Sequence, residues 1–124
     1  MVFPIGINAP AYATASGKAL LAELSTETLS NLLPDPLPAF TAKTLARGAL
    51  LAQIGNSSVA EDHDEYIEGL CSYAVVLDTY LGRYSIAIVA PSSRAMPRAD
   101  AFRQALLACK QDIERAIGRA PRKP

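Results

Sequence analysis

The sequence predicts an α+β fold in which helices pack on one face of a single antiparallel sheet. Three observations carry that prediction. Three helix-type segments precede any convincing strand, and two runs rich in Val, Ile and Tyr, at 70–77 and 84–89, then change the period from helical to extended. The last segment returns to helical spacing and carries one apolar stripe.

Taken in order, Val2-Phe3-Pro4-Ile5-Gly6-Ile7 alternates loosely, and Pro4 restricts it to an edge strand or an extended arm. From Thr14 small residues precede leucines at 20, 21 and 24, which reads as a helix whose beginning is closely packed. Gly17 lowers helical propensity there, so another group is expected to approach its backbone. Ser25 caps a short helix through Leu29, Leu32 and Leu33 that Pro34 stops, and 34–38 is a loop. Thr44 is expected to cap a third helix through Leu45, Leu50, Leu51 and Ile54, with Gly55-Asn56 as its left-handed exit.

Leu70 to Leu77 and Tyr84 to Val89 read as neighbouring antiparallel strands joined by a turn over 78–83, with a short strand beside them at Val59 to Asp62. Pro91-Ser92-Ser93 ends the sheet. A helix follows from Asp100 to about Ile117, and Phe102, Leu106, Cys109, Ile113 and Ile117 recur at steps of three and four as the face laid on the sheet.

The chain of 124 residues fits one domain, and half of its residues are apolar, enough for a packed interior. Twelve basic against twelve acidic residues give a net charge of zero, and Arg115, Arg119, Arg122 and Lys123 form a solvated tail. Direct DNA binding by this chain is not expected, because nucleic-acid binders gather a basic excess on one face. Cys71 and Cys109 form no CxxC pair and are expected as two reduced, buried thiols. No signal peptide and no membrane segment is read, which points to the cytoplasm.

Ser16-Gly17-Lys18 invites a phosphate-loop reading, but that loop needs a Gly five residues before Gly17 and a hydroxyl after the Lys, where Tyr12 and Ala19 stand. Ser16 and Lys18 are two apart and do not share a helix face, so they make no Ser-x-x-Lys nucleophile. Asp62-His63-Asp64-Glu65 surrounds the single histidine, without further His or Cys at metal-ligand spacing. An acidic, solvated loop is expected there, with Asp62 as the carboxylate that turns inward. No catalytic set is found, and neither an enzyme nor a cofactor is expected.

The string Pro10-Ala11-Tyr12-Ala13-Thr14-Ala15-Ser16-Gly17-Lys18-Ala19-Leu20-Leu21-Ala22 resembles the effector-binding domain of the IclR family. Thr41, Thr44, Glu65-x-x-x-Gly69 and the Ala87 to Arg94 strand and turn follow in the same order. The resemblance implies a GAF-like (profilin-like) antiparallel sheet with helices against it, incomplete at its N-terminus. It also implies an upstream winged helix-turn-helix that reads DNA, while the sensing domain takes a small organic acid or aromatic metabolite in a pocket over the sheet.

Carried across residue by residue, the resemblance places Ala15, Ser16 and Gly17 along the ligand site, where free helix amides suit an anionic group. Asp62 matches an acidic pocket position, Ser72 lies where some relatives have a cysteine, and Ala87 and Val89 replace the serines that relatives often carry. That departure makes the pocket less polar and favours a moderately apolar acid over a bare dicarboxylate. Ordinary close packing is the competing explanation for the small residues. The expected function is effector sensing within a homodimer or higher oligomer, since missing first strands would uncover a sheet edge. The alternative is a ligand-free oligomerisation module.

Overall fold

The structure, a computed structural model, describes residues 10–118, so the 2–7 segment and the basic residues beyond 118 lie outside it. Its elements are α1 (Ala15–Leu21), α2 (Thr26–Leu32), α3 (Arg47–Gln53), β1 (Ala60–His63), β2 (Leu70–Thr79), β3 (Gly82–Pro91), α4 (Ser92–Ala95), a 3-10 turn (Met96–Arg98) and α5 (Ala99–Ile117).

Local chemistry explains where the helices begin. The Thr14 side chain accepts the Gly17 amide at 3.3 Å and caps α1, and the Ser25 side chain accepts the Thr28 amide at 3.1 Å to cap α2. α1 ends earlier than expected: the amides of Glu23 and Leu24 turn back to the carbonyls of Leu20 and Leu21, which leaves Leu24 outside the helix. Thr44 does not cap α3, whose N-cap is Ala46 without a side-chain bond. The Thr44 hydroxyl instead accepts the amides of Phe40 and Thr41, each at 2.9 Å. Gly55 leaves α3 with φ 85°, the left-handed exit that the sequence predicts.

The sheet has the order β1-β2-β3 and is antiparallel throughout. β2 and β3 run further than expected, from Leu70↔Pro91 to Thr79↔Gly82, so that only Tyr80 and Leu81 remain in the turn. β1 lies one residue later than expected, because His63 pairs with Cys71.

Helices cover both faces of the sheet rather than one. Cys71, Tyr73 and Val75 pack with Val59, Ala95 and Leu106 on the face under α5, while Ala74 packs with Ala15 and Ala19 under α1. The reason is legible in β2, whose burial is nearly continuous instead of alternating, as in strands covered on two sides. α2 and α3 add a separate cluster of Leu21, Leu29, Leu33 and Leu50.

α5 is rolled relative to the predicted stripe. Leu106 and Glu114 are buried, whereas Cys109 is exposed and Ile117 is 43% exposed. Glu114 accepts the Asp78 amide at 2.9 Å and Lys110 donates to the Val76 carbonyl. These two polar anchors turn the Lys110–Glu114 side toward the sheet and Cys109 away from it. The expectation of two buried thiols therefore holds for Cys71 alone.

Candidate functional site

The site grows from the first turn of α1, where small side chains let other groups come close. A Cβ built on Gly17 would lie 2.4 Å from the Cα of Ala11, so the preceding turn is the group that approaches its backbone. Ala15 is buried, and its amide donates to the Ser72 hydroxyl oxygen at 3.3 Å. Ser72 donates in turn to Asp62 Oδ2 at 3.2 Å, which its register opposite Asp62 in the β1–β2 ladder makes possible.

Asp62 Oδ1 accepts the amide of Glu65 at 2.9 Å, and Glu65 continues the network. Its Oε1 meets Lys18 Nζ at 2.5 Å, and its Oε2 accepts the His63 amide at 3.2 Å. Lys18 also donates to Gln53 Oε1 at 3.0 Å and to the Glu61 carbonyl at 2.9 Å. These three acceptors match the three protons of its ammonium. Burial pushes the Asp62 carboxyl up to about 6, and the nearby Glu65 charge adds to the effect; the hydrogen bonds from Glu65 and Ser72 and the Lys18 charge oppose it.

The loop that delivers Glu65 is held from both sides. Asp64 has φ 60°, and its Oδ1 accepts the Gly69 amide at 2.7 Å and the Ser92 hydroxyl at 2.6 Å. The hydroxyls of Thr41 and Thr44 donate to the carbonyls of Asp64 and Glu65 at 2.5 and 2.6 Å. The spaced Thr41, Thr44 and Glu65-x-x-x-Gly69 elements thus form one clamp on the buried carboxylate. Asp62 turns inward as expected, but the expectation of a solvated loop around it is corrected at Glu65, which is buried as well.

Ala87 and Val89 pair with Ala74 and Ser72, which places them on the α1 face of β3, where both are exposed. Of the seven residues expected at the site, Ala15, Asp62 and Ser72 are linked by hydrogen bonds, and Ala87 and Val89 share their sheet face. Ser16 and Gly17 are half-buried in the first turn of α1, and the Ser16 hydroxyl has no hydrogen-bond partner among the described residues. A cleft of about 550 Å³ lies elsewhere, between Lys18, Ala22, Gln53, Val59, Glu61 and Val76, and includes none of the seven.

Sequence reasoning missed Lys18 and Glu65. Lys18 was legible as Ala15 plus three on a buried helix face, a position an unpaired lysine does not occupy. On the opposite sheet face Arg103 grips Glu61 with Nε to Oε2 at 2.6 Å and Nη2 to Oε1 at 2.9 Å, and His63 Nε2 lies 2.8 Å from the same carboxylate. The Arg103 bonds hold the Glu61 carboxyl below its ordinary range. Among the described residues no group of three or more His, Cys, Asp and Glu could hold a metal ion, and no helix is long and apolar enough to cross a membrane.

A model of the C-terminal region of bacterial IclR transcriptional regulators matches residues 1–115. The chain is 57% identical over 126 residues to the HTH-type transcriptional regulator TtgV of Pseudomonas putida, covering 99% of this chain and 49% of that protein. It therefore spans about half the length of that relative. A transcriptional regulator from Rhodococcus sp. RHA1 superposes with a TM-score of 0.80 at 25% identity, over 94% of this chain and 51% of that one. A double mutant of the inducer-binding domain of the PobR transcription factor from Acinetobacter, solved in complex with 3-hydroxybenzoic acid, superposes at 0.76 with 21% identity, over 90% of this chain and 71% of that one. The relatives compared are regulators of transcription, not enzymes.

Proposed function

The chain belongs to the family of bacterial IclR transcriptional regulator C-terminal domains, and from that premise we propose that it is an effector-sensing domain that takes up a small organic acid or aromatic metabolite. The observation that carries the reading is the bonded chain Ala15–Ser72–Asp62, which ties α1, β2 and β1 together beside the exposed Ala87 and Val89. A ligand on this face would touch three elements at once, and so would bias their relative positions. That a double mutant of an inducer-binding domain of the same fold holds 3-hydroxybenzoic acid supports the ligand class. The DNA reader that such a signal would reach lies outside this chain in this reading, and the working compartment is the cytoplasm.

A screen of catabolic carboxylates and phenolics by thermal shift tests the reading, since a ligand that binds only the folded state raises its melting temperature. Ser16→Leu should fill the site and remove the shift, at a stability cost of about 1 to 3 kcal/mol. An undiminished shift in that variant would move the ligand to another surface.

The sheet edges favour self-association as well. The Lys18 ammonium sits on the Glu61 carbonyl and the Glu65 carboxylate on the His63 amide, which engages one acceptor and one donor on the outer edge of β1. β3 has no strand on its outer side among the described residues, and an open edge invites pairing. We expect a homodimer or higher oligomer by light scattering; a monomer mass at every working concentration refutes it. The same open edge favours a second reading, a ligand-free oligomerisation module, which predicts that no small molecule shifts the melting temperature.

A further inference from the structure

We propose that Cys71 is a modifiable thiol that a small hydroperoxide oxidises to the sulfenic acid, with His63 as the base that takes its proton and Glu61 as the residue that orients His63. The inference stands apart from the effector-site reading, because these groups lie on the opposite face of the sheet, under α5.

The β1–β2 register brings the groups together. His63 lies across from Cys71 and Glu61 across from Tyr73, so their side chains share one face. Cys71 Sγ is 3.5 Å from His63 Nδ1, and His63 Nε2 is 2.8 Å from Glu61 Oε1. The Arg103 bonds favour the ionised form of Glu61. A carboxylate only accepts, so in the neutral ring Nε2 carries the proton and Nδ1 is left as a bare acceptor facing the thiol. Ser92 Oγ lies 3.3 Å from the same sulfur, but its own proton goes to Asp64 Oδ1 at 2.6 Å, so it can only accept from Cys71. The order thiol, imidazole, carboxylate is the one that activates a sulfur nucleophile.

Cys71 is fully buried, whereas His63 is partly exposed and lines, with Glu61, the cleft of about 550 Å³ beside β1. The imidazole therefore has one side on the cleft and Nδ1 on the thiol. It ends β1, a four-residue strand at the edge of the sheet, where local opening costs least. A reagent admitted that way must be small. In the step, the thiol proton passes to Nδ1 and the sulfur attacks one peroxide oxygen. The O–O bond breaks, and the leaving oxygen takes the proton from Nδ1. The sulfur is oxidised by two electrons, and hydrogen peroxide is reduced to water. Glu61 stabilises the imidazolium that forms between the two transfers. One buried donor on this face is unspent, since the Tyr73 hydroxyl has no partner among the described residues, and the charge on Cys71 acts on it. Oxygen added to Cys71 brings an acceptor to that face.

The test treats the 124-residue chain with hydrogen peroxide at neutral pH, removes the peroxide, unfolds the chain in dimedone to trap sulfenic acid, and reads the adduct at each cysteine by peptide mass. Cys109 is the internal reference, an exposed thiol with no hydrogen-bond partner among the described residues. Cys71 should be oxidised at least about tenfold faster than Cys109 in spite of its burial. His63→Gln, which cannot take the proton, should slow Cys71 at least about tenfold and leave Cys109 unchanged. Glu61→Gln should slow Cys71 by less, because the base remains while its orientation is lost. The sign separates loss of the base from loosening of the fold, since a variant that merely opens the structure exposes Cys71 and speeds its oxidation. Oxidation of Cys109 alone, or equal rates at the two thiols, overturns the proposal. Faster oxidation of Cys71 in His63→Gln overturns the role of His63 and assigns the reaction to local unfolding. Should the Gln variant not fold, the ratio between Cys71 and Cys109 in the unaltered chain decides.

Discussion

Replacing Lys18 with Met should destabilise the chain by about 3 to 5 kcal/mol, the cost of leaving a buried charge without its partner. The pair is buried on both sides, with side chains 3% and 5% exposed, so solvent cannot take over the role of the ammonium. Glu65 would keep only the His63 amide, and Gln53 and the Glu61 carbonyl would each lose a donor. Urea unfolding at pH 7 measures the loss. The double variant Lys18→Met/Glu65→Leu should recover most of it, since two apolar side chains leave no buried charge. Recovery would stop short of complete, because the His63 amide then lacks its acceptor. By contrast, the ion pair of Lys43 with Asp64, where the lysine side chain is 69% exposed, should change stability by no more than about 1 kcal/mol when Lys43 is removed. If Lys18→Met proves as mild as the Lys43 change, the network around Asp62 is not what holds α1 to the sheet.

Tyr73 should be the most costly truncation in the sheet. It is fully buried, its ring lies edge-on to His63 and Phe102 at 5.7 Å from each, and the Arg103 guanidinium sits 5.8 Å from its centroid. Tyr73→Ala should cost about 3 to 5 kcal/mol through the cavity left between β2 and α5. Tyr73→Phe should go the other way and raise stability by about 1 kcal/mol, because the Tyr73 hydroxyl is buried without a hydrogen-bond partner among the described residues. Chemical denaturation of both variants reads the sign. A loss of stability in the Phe variant would mean that the hydroxyl has a partner in solution.

The resemblance and the residues agree in a way that clarifies both. The Ala-Ser-Gly string at 15–17, read as room for a ligand, is also room for the protein itself: Ala11 fills the space beside Gly17, and Ser72 takes the Ala15 amide. The small residues therefore have a packing role, and a ligand role at Ser16, Ala87 and Val89 rests on the exposed surface beside them.

Signals that act over a few residues were legible in the sequence. Ser25 capped its helix, Gly55 made the left-handed exit, and the Val-rich runs paired as a hairpin, because each depends on dihedral preference or on a partner three or four residues away. What depends on partners distant in sequence was decided by the tertiary structure. Thr44 had a hydroxyl suited to capping, but the carbonyl of Glu65, 21 residues on, drew it into the clamp. Glu65 read as a solvated acid, yet Lys18, 47 residues earlier, neutralises it inside the fold. Burying a charged side chain costs several kcal/mol, a penalty that a well-placed opposite charge and its hydrogen bonds can offset. The chain's own order determined which segments are helix and which are strand; only packing determined which charges could be buried between them.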